Sequence, residues 1–158
     1  RFARLGVIPS MQFVHCTSDM PWVRDRLGDE RLAGAYAWRS LMKTGCRIPG
    51  GSDFPVESID PFRGIYAAVT RMDDRGEPAS GWFPGQRLTV EEALRSFTLD
   101  AAWAVRREGT RGSLEKGKLA DFVVISEDIT SIDPARIPEI EVIATVLGQE
   151  IVYDSGRF

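Results

Sequence analysis

Near residue 109 the chain changes character, and no other feature restricts its fold as much. Before that point, apolar residues recur at helical spacing between glycine stops. After it, residues 109–120 (GTRGSLEKGKLA) are turn-rich, and residues 121–126 (DFVVIS) favour β structure. Residues 141–147 alternate, Gly148-Gln149 follows, and residues 150–154 resume the strand pattern. That spacing predicts a two-residue hairpin with glycine at its first turn position. Residues 129–140, with Pro134 and Pro138, are expected to be irregular. Residues 1–107 therefore read as α/β and residues 112–158 as all-β.

The first part reads in short units. Residues 1–6 look like the last turn of a helix closed by Gly6, continuing from a longer polypeptide. Residues 7–14 (VIPSMQFV) are expected to form a buried strand. Ser18 or Asp19 could cap a short helix with Pro21 in its first turn, ended by Gly28. Asp29 would open a longer helix carrying Leu32, Ala35, Tyr36, Leu41 and Met42 and closing at Gly45. Residues 46–52 (CRIPGGS) fit a tight strand that ends in an exposed turn at Asp53. Asp60-Pro61 predicts a helix start, with the helix over 62–71. Residues 72–87 are polar, rich in Gly and Pro, and hold Trp82 and Phe83; a loop of that length suggests a lid over a site. Thr89-x-x-Glu92 is a capping box, with Ala93, Leu94 and Phe97 at helical spacing and a second helix over 99–107.

Counts exclude several functions. Lys and Arg total 20 against 23 Asp and Glu, a net charge of −3, which argues against nucleic-acid binding. No apolar run reaches the roughly 20 residues of a membrane span. A single histidine, His15, and two cysteines, Cys16 and Cys46, cannot make an ordinary His/Cys zinc site without heavy use of carboxylates.

Two motifs go further. Residues 50–57 read GGSDFPVE and residues 112–125 read GSLEKGKLADFVVI. With GIYAAVTR (64–71), GWFPGQRLTVEEAL (81–94) and FTLDAA (97–102), they resemble the amidohydrolase superfamily, in its YtcJ-like branch called amidohydrolase 3. That branch includes N-substituted formamide deformylase-type enzymes. The resemblance implies the C-terminal part of a (β/α)8 metal-dependent hydrolase barrel, about two strands with their helices over 1–111, plus part of a small β-sandwich over 112–158. A whole barrel takes about 250 residues. Residues 7–14 would match the seventh strand and 47–52 the eighth. Two positions depart from the family pattern. Pro49-Gly50 stands where larger apolar residues lead into Gly-Ser-Asp, and Phe13 stands where proline is often seen.

The resemblance also assigns chemistry. Asp53, at a parallel strand's C-terminal end, would be the catalytic carboxylate and a metal ligand, moving a proton from water to a leaving amine. The bland reading makes Ser52-Asp53 simple turn chemistry before Pro55. His15, Arg71 and Trp82 are the candidate substrate-binding residues, each with a structural alternative. The parent enzyme would hydrolyse a C–N bond of a small amide or N-formyl compound with a divalent metal, zinc. The chain alone is expected to bind no metal and to be inactive. The competing reading is a non-catalytic structural or binding module without metal. In the implied barrel Cys16 and Cys46 lie about 20 Å apart, beyond disulfide reach. Free thiols point to a cytoplasmic protein. Exposed barrel edges imply self-association or a homo-oligomer, with no nucleic-acid or membrane partner.

Overall fold

A computed structural model describes all residues, 1–158. It is mixed α/β, with a two-stranded parallel sheet and a three-stranded antiparallel sheet. Helix α1 (Phe2–Leu5) ends at Gly6 in the left-handed conformation, as read from the sequence. Strand β1 (Met11–Gln12) pairs with β2 (Gly50–Gly51), Met11 opposite Gly50 and Gln12 opposite Gly51. The expected strand over 7–14 is thus only two residues long. Pro9 brings no N–H to a ladder, and at Phe13 the chain already turns into helix α2 (Phe13–Leu27).

That helix is longer than the sequence suggested and starts earlier. Ser18 does not cap it. Thr17 and Ser18 instead turn their hydroxyls back to the Val14 carbonyl within the helix. Pro21 lies inside it, and Gly28 ends it as expected. The single helix expected from Asp29 is two short ones, α3 (Asp29–Leu32) and α4 (Trp38–Met42). They are separated by a turn whose Tyr36 has φ 51°, and Trp38, the first residue of α4, is driven fully into the core.

Helix α5 (Pro61–Thr70) matches the reading closely. The Asp60 side chain accepts from the Phe62 N–H, and Pro61 takes the first helical position. The helix lies in the middle of the core, packed on α2 and on the 3₁₀ helix Pro134–Glu139. Its Ile65, Tyr66, Ala67 and Ala68 join Phe13, Trp38, Ile48 and Ile137 in one apolar cluster. Gly64 is required there. A Cβ on it would lie 2.5 Å from Cζ of Phe97, a ring also in contact distance of Phe13 at a 5.8 Å centroid separation.

Residues 72–87 form the expected loop, broken by the 3₁₀ turn Pro84–Gln86. Helix α6 (Val90–Phe97) has the full reciprocal capping box between Thr89 and Glu92. Helix α7 (Leu99–Ala104) stops three residues short of the expected end. The last sheet is β3 (Phe122–Ile125), β4 (Val142–Leu147) and β5 (Glu150–Asp154), in the order β3-β4-β5. Gly148 and Gln149 both take positive φ, 59° and 76°. The hairpin therefore has the I′ signature, in which both turn residues are left-handed, rather than glycine alone.

Glu92 does two jobs. It closes the capping box and also takes two guanidinium nitrogens of Arg39, at 2.6 and 2.5 Å. The Arg39 hydrogen bond, foremost, holds its carboxyl below the ordinary value. A depressed folded-state pKa makes this stabilisation complete above the unfolded carboxylate range. It is lost as pH falls through the folded value. Urea unfolding followed from pH 7 down to pH 3 should therefore show a smaller acid-induced loss in Glu92→Gln than in the parent chain, with lower stability at pH 7.

Candidate active face at the strand ends

Because β1 and β2 run parallel, both leave the sheet at the same end. His15 lies three residues beyond β1 and Asp53 two beyond β2. The sheet thus brings these two candidates to one face. Their settings differ. His15 is in the first turn of α2, half-buried, and its Nε2 is out of water without a hydrogen-bond partner. Asp53 is exposed at φ 57°, in a turn closed by the Val56 N–H donating to its carbonyl at 2.8 Å. Aspartate tolerates the left-handed region better than most residues. This local demand suits both the catalytic and the simple turn reading.

Arg71 and Trp82 are brought together with each other. Arg71 caps α5 in the left-handed conformation and is 0% exposed. Its guanidinium stacks over Trp38 at 4.3 Å and over Trp82 at 5.4 Å. Its Nε donates to the Trp82 carbonyl and its Nη1 to the Tyr36 carbonyl at 3.0 Å. No carboxylate pairs with it, and Nη2 has no partner. Burial accordingly pulls its pKa down. Arg71, expected to meet substrate, has no surface in this chain through which to do so. The aromatic faces and two carbonyls that compensate the buried cation make it an anchor for Trp82.

The loop over 72–87 is a strap rather than a lid. The Trp82 N–H donates to the Arg71 carbonyl at 2.8 Å. Arg87 donates to the carbonyls of Thr70 and Ser80 at 3.0 and 2.6 Å. The Leu88 N–H returns to Ala68 at 2.9 Å. Both ends of the loop are thus sewn to the C-terminal half of α5.

Two further pairings were not read from the sequence, although Glu57 was a candidate brace for the turn after Asp53. The Tyr36 hydroxyl donates to Asp19, four residues after His15, and burial first, then that bond, raises the phenol pKa. Ser18 donates to Glu57. Each partnership spans a loop, so neither has a local sequence signal. Beside the second lies an open cleft of about 370 Å³ lined by Thr17, Ser18, Glu57, Asp73, Asp74 and Arg75. No three His, Cys, Asp or Glu side chains converge to hold a metal ion. Asp53 is at most one donor of a set completed elsewhere.

The comparisons with known proteins bear on this arrangement directly. The amidohydrolase family model matches residues 1–153. The chain belongs to the amidohydrolase family. It is 38% identical over 156 residues to the amidohydrolase YtcJ of Bacillus subtilis, covering 99% of this chain and 30% of that protein. It is 30% identical over 116 residues to the N-substituted formamide deformylase of Arthrobacter pascens, covering 73% and 21%. A crystal structure of a metal-dependent hydrolase from Pyrococcus horikoshii superposes with a TM-score of 0.72 at 28% identity, covering 84% of this chain and 26% of that one. This family member thus spans less than a third of the length of these relatives.

The two cysteines of this amidohydrolase chain are free. Cys16 is buried beside Arg71 and Asp19, and burial pushes its thiol up to about 12 against a smaller opposing pull from Arg71. Cys46 is partly exposed. A disulfide-exchange reagent at pH 8 should therefore titrate one thiol per native chain and the second only after unfolding.

Proposed function

We propose that this chain is the C-terminal part of a metal-dependent amidohydrolase that hydrolyses a C–N bond in a small amide or N-formyl compound. The observation that carries the reading is an exposed aspartate just beyond a parallel strand, in a chain of this family. In this reading β1 and β2 are the seventh and eighth strands of a (β/α)8 barrel over residues 1–111. Residues 112–158 contribute to a β-sandwich. Barrel enzymes gather their chemistry at the C-terminal ends of the strands, where Asp53 and His15 stand. Relatives of known name act in the same direction: one is a formamide deformylase.

The step assigned to this chain is proton transfer. Water adds to the carbonyl carbon while the Asp53 carboxylate accepts its proton. Asp53 then delivers that proton to the departing nitrogen as the C–N bond breaks, leaving a carboxylic acid, which keeps water's second proton on the added oxygen, and an amine. Trp82, fixed by Arg71, supplies an apolar wall for substrate, and His15, whose Nε2 is out of water, stands at the same end of the sheet as Asp53. The donors present here do not make a metal site, so a divalent metal, for which we propose zinc, would draw its other ligands from outside these residues. No step is assigned through it. The protein is proposed to be cytoplasmic, and open strand edges favour self-association. No helix is long and apolar enough to cross a membrane.

In the full-length enzyme, Asp53→Asn should lower kcat on an N-formyl amine by about 10³-fold with the circular dichroism spectrum unchanged. Unchanged turnover would make the GSDFPVE turn architecture only, the non-catalytic reading. The 158-residue chain itself, dialysed and analysed for metals, should retain far less than one zinc per chain. A tightly held stoichiometric zinc would show that His15, Asp53 and other carboxylates gather after all.

A further inference from the structure

The turn that carries Asp53 is poorly fastened by packing. Phe54, Val56 and Ile59 are 61%, 67% and 70% exposed. Its internal hydrogen bonds are local: Val56 N–H to the Asp53 carbonyl at 2.8 Å, and Phe54 N–H to Ser52 Oγ at 3.3 Å. These set the shape of the turn. They do not set where the turn lies against the element that follows the neighbouring strand. One side-chain hydrogen bond does so, from Ser18 Oγ on α2 to Glu57 Oε1, across 39 residues. Ser18 is one helical turn beyond His15, so this bond joins the two halves of the candidate face.

We propose that Ser18 and Glu57 are positioning residues that hold Asp53 in register with α2. The proposal rests on the reading of Asp53 as the proton-transferring carboxylate. Ser18 has one hydroxyl proton and two acceptors in reach, the Val14 carbonyl at 3.0 Å and Glu57 at 2.5 Å. The charged acceptor makes the stronger bond. The cleft that Glu57 lines also carries Asp73, Asp74 and Arg75, none of which hydrogen-bonds to it. Asp74 is itself engaged by Arg63. The Ser18 hydroxyl therefore holds Glu57 against α2. The turn of residues 53–57 follows, since only three residues separate Glu57 from Asp53. A small displacement of a reacting group costs rate out of proportion to its size, about 10²-fold for 1 Å.

Ser18→Ala, Glu57→Ala, their double variant and Glu57→Gln test this in the full-length enzyme. Each single alanine variant should lower kcat by about 10- to 100-fold at unchanged KM. The double variant should be no slower than the worse single one, because both remove one bond. Glu57→Gln keeps an acceptor oxygen and should recover most of the rate. Amide hydrogen exchange over residues 53–57 should quicken in the alanine variants alone. Additive losses, a KM effect without a kcat effect, or unaltered exchange at 53–57 would each overturn the proposal. If Glu57→Ala does not fold, Ser18→Ala and Glu57→Gln still decide it. The exchange measurement does not depend on turnover. An active Asp53→Asn enzyme would therefore sink the catalytic reading separately from the brace.

Discussion

The rings of Phe13 and Phe97 close over the bare backbone of Gly50, and the parallel sheet depends on that contact. A Cβ on Gly50 would stand 2.9 Å from the Phe13 ring and 3.1 Å from the Phe97 ring, closer than side-chain carbons approach. The same Phe97 ring excludes a Cβ at Gly64 of α5. One aromatic side chain thus wedges between β2 and α5, with Phe13 beside it and Trp38 edge-on to Phe13 at 5.1 Å. This packing permits the two-residue pairing that sends His15 and Asp53 out of the same end of the sheet. The Phe13 ring thus occupies the space that a side chain at position 50 would need.

A second constraint is electrostatic. Arg71 is a cation with no exposed surface and no carboxylate partner, held by two indole faces and two carbonyls. A buried charge is costly unless its hydrogen bonds and neighbours compensate it. Here the compensation comes from three separate pieces of chain: the turn at Tyr36, the α4 residue Trp38 and the loop at Trp82. The arrangement works only when all three are in place. This accounts for the break between α3 and α4 and for the strapping of the 72–87 loop. The catalytic reading gains from it indirectly, because a rigid wall at Trp82 is more useful to a site than a mobile one.

Much of the site was legible as a motif and little of it as geometry. GGSDFPVE located the strand end, the exposed turn and Asp53, because glycine, aspartate and proline make backbone demands within four residues. Arg71 was read as a candidate substrate-binding residue because it stands at the head of the long loop over 72–87. Only the two tryptophans, 33 and 11 residues away, show that it is an anchor. The Ser18–Glu57 and Tyr36–Asp19 bonds left no local trace for the same reason.

The sequence by itself determined the helix starts at Asp60 and Thr89, the hairpin at Gly148-Gln149, the change to β structure in the tail and the family to which the chain belongs. Each is written in residues close together, where capping, turn conformation and alternation act within a turn or two. The tertiary structure decided where β1 gives way to helix at Phe13, where the chain breaks before Trp38, and that Arg71 is sealed from solvent. It also decided which helix hydrogen-bonds to Glu57 in the turn after Asp53. Those outcomes hang on contacts between residues tens of positions apart, and such contacts exist only once the core has closed.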